Sequence, residues 1–299
     1  MITLAFIGMS LAWSFSWFAM KLQVDSGIPL ELSVFYRFVV TSFLMFLLCF
    51  ITKQRVLITR SEVKFLLLGG LFNFCLNFLL GYFIIRYIPS GVLATIFSLS
   101  IITSEIISSI IQKRKIEQKV VISSVIGVIG LAFFILPSIT FGENSNFSKV
   151  MTGLGLSLVM MIIYSLGNAV IAQNKKVNQT PLYTTIAYAS GIGSIFLLLF
   201  NLALGNEFVF DTSPKYILSF LYLVIIASVL AFICLFYMIQ KIGSTKANYT
   251  SLVYPTIALI TSSYFEGFSF GFFSFCGFVM IIAALVIEFL PNVRKYRQQ

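Results

Sequence analysis

The sequence predicts an all-α polytopic membrane protein, ten transmembrane helices arranged as two inverted five-helix repeats. Three observations carry this. Of 299 residues, 59% are hydrophobic and only 10% charged, with a mean hydropathy of +1.00; a soluble domain carries about 25% charged residues. Ten stretches approach the roughly 20 apolar residues that a bilayer crossing needs. Basic residues concentrate in alternate connections, as they do in a chain that weaves across a membrane.

The first stretch, 2–20, has no basic segment before it and no small-residue cleavage site after it, so it is expected to persist as a span. It carries Trp13, Ser16 and Trp17 on one face, at i, i+3 and i+4. The second, 32–51, holds Arg37 about two turns in, a depth of ~9 Å at 1.5 Å per residue. The third, 65–86, places Asn73 and Asn77 on one face. The fourth, 89–111, starts at Pro89 and carries Glu105 ~24 Å along it. The fifth is 120–137. A connection over 138–151, which holds Gly142, Glu143 and two asparagines, reads as the linker between halves. Spans 152–171, with Tyr164 and Asn168 on one face, 182–201, 216–240, 245–264 and 270–290 follow, and 291–299 is a basic tail.

The stretch from Lys241 to Ile260 reads as a tight polar hairpin leading into a span that is broken halfway at Pro255. Proline removes one backbone donor and clashes with the carbonyl four residues back. In a bilayer such a break persists where protein or a water-filled cavity satisfies the freed group. A bend beside an internal cavity is therefore expected, with a plain tolerated kink as the alternative.

Fifteen basic residues fall in one set of alternating connections, among them Lys53, Arg55, Lys113, Arg114, Lys115, Lys175 and Lys176. The other set holds four: Lys21, Arg86, Lys149 and Lys215. The richer set is expected to be cytoplasmic, which puts both termini there. The net charge of +10 is thus a topology signal, and no nucleic-acid partner is expected. Cys49, Cys75, Cys234 and Cys276 have no ligand spacing and read as small hydrophobes. With no histidine present, neither a metal nor another cofactor is expected.

Five spans on each side of the linker suggest duplication. Trp13-Ser14 stands opposite Tyr164-Ser165, and Ile88-Pro89-Ser90 opposite Ile242-Gly243-Ser244. An odd number of spans per half inverts the second copy, an architecture of secondary transporters with the substrate near the midplane. The expected units are 1–137 and 152–290.

Four motifs stand out: Trp13-Ser14-Phe15-Ser16; Arg37-Phe38; Ile242-Gly243-Ser244-Thr245-Lys246-Ala247; and Tyr254-Pro255 followed by Phe265-Glu266-Gly267 and Gly277. In this order and spacing they resemble the drug/metabolite transporter superfamily, and within it the EamA-type ten-helix transporters. The first half departs from that pattern at Ile101, where proline is common, and at Lys113-Arg114-Lys115, near a common Gly-Glu pair. The resemblance implies transport of small metabolites, often amino acids or related compounds. A bacterial inner-membrane location is expected.

Intramembrane charge defaults to function. Arg37 is a candidate clamp for a carboxylate or phosphate; the alternative is a stem that snorkels to the headgroups. Glu105 is the candidate proton carrier, or else a polar contact near the interface. Glu266 and Glu288 read as solvated and interfacial. Trp13, Ser16, Trp17, Arg37, Asn73, Asn77, Tyr164, Asn168, Asn248 and Tyr254 are the candidate substrate contacts, unless they serve helix packing. Gly8, Gly69, Gly70, Gly127, Gly130, Gly153 and Gly155 are expected at close helix crossings. A secondary transporter, exporter or importer, is the first reading; a lipid or lipid-linked sugar flippase is the second. An enzyme is not expected, because there is no histidine and no close pair of intramembrane acids; with no phosphate-cradling GxxxxGK[ST] loop in the sequence, ATP is not the expected driver of transport. The partners are a small solute and the bilayer, with the protein a monomer or homodimer.

Overall fold

A computed structural model describes the chain apart from residues 112, 114, 141–145, 236, 239–240, 242–249, 268–270 and 290–299, and apart from the side chains of 136–140, 146, 175–177 and 289. Among the described residues all regular structure is helical. The helices are α1 (Ile2–Val24), α2 (Leu30–Ile51), α3 (Arg60–Ile84), α4 (Ser90–Ile111), α5 (Gln118–Thr140), α6 (Asn146–Asn178), α7 (Leu182–Ala203), α8 (Pro214–Leu235), α9 (Thr250–Phe265) and α10 (Phe272–Phe289). Eight of them contain stretches long and apolar enough to cross a membrane; the apolar part of α10, Phe272–Glu288, is shorter.

Local chemistry sets the boundaries. Pro29, Pro89 and Pro181 stand immediately before α2, α4 and α7 with extended ψ values of 128°, 148° and 146°. Proline's fixed φ suits a helix start, where its missing N–H costs nothing. Thr59 and Glu62 form a capping box that starts α3 at Arg60. Ser213 caps α8 by accepting from the Tyr216 N–H at 3.4 Å. Gly205, at φ +67°, turns the chain out of α7, and its N–H reaches the Leu202 carbonyl.

The expected linker over 138–151 is shorter than read, because α5 continues to Thr140 and α6 begins at Asn146. Likewise α3 starts before residue 65. Hydropathy marks the hydrocarbon crossing, whereas capped polar turns carry a helix on into the aqueous layer.

Four irregularities interrupt regular geometry, of which only Pro255 is visible in the sequence. Gly70–Leu76 of α3 and Tyr222–Leu230 of α8 are π-helical. Each extra residue in a turn rotates the following face by about 100°. Helix α4 breaks at Leu99, whose N–H bonds the Ile96 carbonyl in a tight turn. Pro255 lies inside α9.

Helix α2 packs on α7, α5 on α10, α4 on α9 and α6, and α1 on α8 and α9. Between them runs one large apolar core that includes Val34, Phe38, Phe74, Leu93, Ile96 and Leu223. Phe43, Phe50, Val128, Leu199, Leu218 and Ile260 point outward and are exposed. That is the arrangement that hydrocarbon solvent permits.

Glycines hold the closest crossings. A Cβ on Gly130 would lie 2.9 Å from the Gly277 carbonyl, and one on Gly91 would lie 2.6 Å from the Ala258 carbonyl. Gly69, Gly70, Gly127 and Gly153 also sit at contacts, as expected. Gly155 meets nothing within 4 Å and Gly8 makes only an ordinary contact, so neither is needed for close approach. Their apolar neighbourhoods in sequence do not say which helix face meets a partner.

Candidate functional site

The polar and aromatic residues of five helices meet in the middle of the bundle. The Trp13 ring of α1 stands edge-on to Tyr254 of α9, with centroids 6.0 Å apart. One turn along, Trp17 packs against Phe97 of α4 at 5.5 Å, and Phe97 against Tyr164 of α6 at 4.9 Å. Tyr164 neighbours both Asn168 and Tyr254. Asn73 Nδ2, in the π segment of α3, donates to Asn168 Oδ1 at 3.0 Å. Asn77 is buried one turn further along. Gly167 makes this crossing possible, since any Cβ there would meet the Asn73 side-chain oxygen. Trp13, Trp17, Asn73, Asn77, Tyr164, Asn168 and Tyr254 are thus one neighbourhood. Asn73 Oδ1 and Asn77 Oδ1 are buried without a hydrogen-bond partner. Ser16 is close by, but its hydroxyl is satisfied by the Trp13 carbonyl at 2.8 Å. Asn248 lies outside the described residues, as does the hairpin motif Ile242-Gly243-Ser244-Thr245-Lys246-Ala247.

Arg37 belongs to a second, adjoining group. It does not snorkel: it is 2% exposed. Its Nε and Nη2 donate to Ser228 Oγ of α8 at 3.3 and 3.2 Å. Its guanidinium carbon lies 4.6 Å from the Phe78 ring centroid and 5.2 Å from that of Phe38, within cation–π range. Tyr82 is a further neighbour, and its hydroxyl donates to Gln23 Oε1 at 2.6 Å.

Glu105 is half-buried in α4. It lies within electrostatic reach of Glu288 on α10. Glu288 is buried against α5 and accepts from Ser123 Oγ at 3.0 Å. Glu266 is half-buried and is held by another helix. It accepts from the Ser90 backbone N–H at 3.0 Å and from the Ser90 hydroxyl, tying the end of α9 to the start of α4. A helix N-terminus welcomes a carboxylate, and a side chain at a span end finds that partner only once the helices are paired.

The two ends of the bundle differ. At the end that holds Ser90, side chains tie neighbouring elements together: Glu266 on Ser90, Tyr216 Oη with Ser33 Oγ at 2.9 Å, and the Tyr36 hydroxyl on the Val209 carbonyl at 3.1 Å. At the end that holds Met1 there is a cavity of about 620 Å³. It is lined by Met1, Leu4 and Ala5 of α1, Gln54, the start of α7, and Ile233, Cys234 and Tyr237 after the π segment of α8. Ala5, Cys234 and Tyr237 also pack in one apolar cluster with Trp13. That cluster, with Met9 buried in it, stands between the cavity and the central group. The cavity does not lie beside Pro255, as expected from the broken helix; Tyr254 and Pro255 are buried, and Tyr254 faces Trp13.

Sequence reasoning missed Phe97, Gln23, Tyr82 and Ser228. The first is an ordinary apolar residue in an apolar run. The other three are single polar groups whose partners lie on other helices.

Spans of this length around a polar centre define a multi-pass helical membrane protein. The chain belongs to the EamA-like transporter family, which matches it over residues 1–136 and 151–290. It is 25% identical to an uncharacterized transporter in the trpA 3′ region of Buchnera aphidicola subsp. Schlechtendalia chinensis, over 97% of this chain and 93% of that protein. It is 24% identical to Protein PagO of Salmonella typhimurium, over 98% of this chain and 93% of PagO. A solved crystal structure superposes with a TM-score of 0.67 at 14% identity, over 100% of this chain and 98% of the other, and so shares the fold.

Proposed function

We propose that the chain is a secondary-active transporter that moves small organic solutes by alternating access between two inverted halves. One observation carries the reading. Residues of α1, α3, α4, α6 and α9 converge on a polar-aromatic centre whose helices are tied together at one end, with a cavity of about 620 Å³ at the other end of the bundle. Pockets for small molecules run to about 300–1,000 Å³, and the cavity falls inside that range.

The packing supports two inverted halves. Helices α2, α4 and α5 each lie against the helix five places later. Helix α1 lies on α9 as α6 lies on α4, and α8 meets α1 and α2 as α3 meets α6 and α7. The two π segments fall in α3 and α8, which are counterparts. The Leu99 break in α4 answers Pro255, which lies inside the continuous helix α9, so both helices of that pair carry a backbone irregularity. The α9 and α10 helices complete a count of ten. With the basic connections cytoplasmic, the cavity opens inward and the Glu266–Ser90 contact is external. Glu105 is the candidate coupling carboxyl in this scheme.

Proteoliposomes offered radiolabelled amino acids and nucleotides, with and without a pH gradient, are expected to take up at least one class saturably. Lipid scrambling without any solute flux would instead establish the flippase. The cavity makes an independent prediction. Cys234 lines it, whereas Cys49 and Cys75 are buried. In a Cys276→Ala background, a membrane-impermeant maleimide should label Cys234 from the cytoplasmic face, and a transported solute should change the rate severalfold. A rate that no transported solute alters would count against alternating access.

A further inference from the structure

Burying an ion is the largest local cost in this bundle, and Arg37 is buried with no ion pair among the described residues. Its hydrogen bonds are few. Nε and Nη2 share one hydroxyl, Ser228 Oγ, at 3.3 and 3.2 Å, and that hydroxyl gives its own proton to the Leu223 carbonyl at 2.8 Å. The Tyr82 oxygen is the other polar group close to the guanidinium, but its geometry leaves Nη1 without a regular hydrogen bond. The neighbouring Gln23 is in the same position. Its Oε1 accepts from Tyr82, and its Nε2 is buried and unpartnered.

Helix packing does not explain the arginine. Pro29-Leu30 and Pro181-Leu182 open α2 and α7 alike, and in that register Arg37 falls on Ala189. The Ala189 carbonyl would lie 2.7 Å from a Cβ on Gly70, so α7 closes directly on the π segment of α3 with small residues. In the other half, α2 meets the π segment of α8 through Arg37 and Ser228. One half makes this contact with alanine and glycine; only the other keeps a cation there.

We propose that Arg37, with the Gln23 amide beside Tyr82, is a subsite for the carboxylate of a transported organic anion. The inference rests on the transporter reading and adds the class of solute. The unsatisfied groups are donors, they carry one net positive charge, and a carboxylate brings one negative charge with acceptor oxygens that match a guanidinium's fork. Phe38 and Phe78 flank the cation and exclude water from it, which strengthens the attraction to an anion. The subsite is reached when the contacts at the Ser90 end part, since Ser33, Tyr36 and Arg37 follow one another along α2 and the first two bond across that end.

Sodium acetate is the probe, because it carries the charged group without a tail. The purified full-length protein in nanodiscs is titrated with acetate, with acetamide and with sodium chloride, and its thermal midpoint is followed. Acetate is expected to stabilise it saturably and more than either control. Arg37→Gln should weaken the apparent acetate affinity at least tenfold, and Arg37→Lys should restore part of it. Gln23→Leu keeps the charge and should weaken it severalfold, which preserves the test should Arg37→Gln fail to fold. Equal shifts with acetate and acetamide, or acetate binding unchanged by both Arg37→Gln and Gln23→Leu, would overturn the subsite. Flux in proteoliposomes separates the two readings. Arginine-dependent acetate binding without any solute flux refutes the transporter and leaves the anion site. Flux of neutral solutes without acetate binding refutes the anion site alone.

Discussion

Gly277→Ala should lower the thermal midpoint of the protein by several degrees, although alanine is the better helix former. At an open helical position the same change is expected to gain up to about 1 kcal/mol. At Gly277 the added Cβ meets the Phe134 backbone nitrogen and lies 2.5 Å from the Gly130 carbonyl and 2.7 Å from the Phe134 Cα. Those atoms are main chain, so no side-chain rotation relieves the clash. Helices α5 and α10 must separate, and overpacking of this kind costs about 1–3 kcal/mol. The Ser274 hydroxyl, which reaches the Phe134 carbonyl at 3.2 Å on the same seam, loses its geometry too. Gly155→Ala is the control, with nothing within 4 Å of its added carbon. If the two variants melt together, the α5–α10 seam is not as close as described.

Glu62→Ala is the second large effect, at the cavity end. This carboxylate is fully buried. It accepts from Arg55 Nη2 at 2.5 Å and Nη1 at 3.3 Å, from the Thr59 N–H at 2.6 Å and hydroxyl at 2.8 Å, and from the Thr180 hydroxyl at 2.5 Å. It therefore caps α3 and ties it to the connection before α7. Thr184 Oγ1 on the Arg55 carbonyl, and Ser61 Oγ on Asn178 Oδ1, reinforce the same junction. Truncation leaves several donors without their acceptor, at about 1–3 kcal/mol. Arg55 is partly solvated, which keeps the loss from being larger. A double-mutant cycle with Thr180→Val should show coupling of more than about 0.5 kcal/mol. Strict additivity would mean that the Glu62–Thr180 bond does not hold the junction. Gln54 and Pro181 beside this latch line the cavity. Loosening it should also speed maleimide labelling of Cys234.

The candidate site was legible in outline. Trp13 and Trp17, Asn73 and Asn77, and Tyr164 and Asn168 each share a face because helical spacing is local. Their order along the chain was enough to single them out, and the structure brings them together. The misreadings were of partners. Along the sequence Glu266 reads as a solvated span end and Glu288 as an interfacial one, yet each accepts from a serine on another helix. Arg37 was within reach of the headgroups along its own helix, but Ser228, 191 residues away, holds it inside. The proline in α9 was read as the wall of a cavity, whereas the cavity lies at the Met1 end, where α1, α7 and α8 diverge.

The amino-acid sequence alone determined that this is a helical membrane protein, where most of its helices lie, and which family motifs it carries. Hydropathy sums over neighbours, and a bilayer accepts only backbone that satisfies its own hydrogen bonds. The tertiary structure alone decided which polar groups meet and which donors remain unpartnered. Those outcomes depend on how each helix is rotated about its axis, and the π segments of α3 and α8 alter that rotation without any signature in the order of residues.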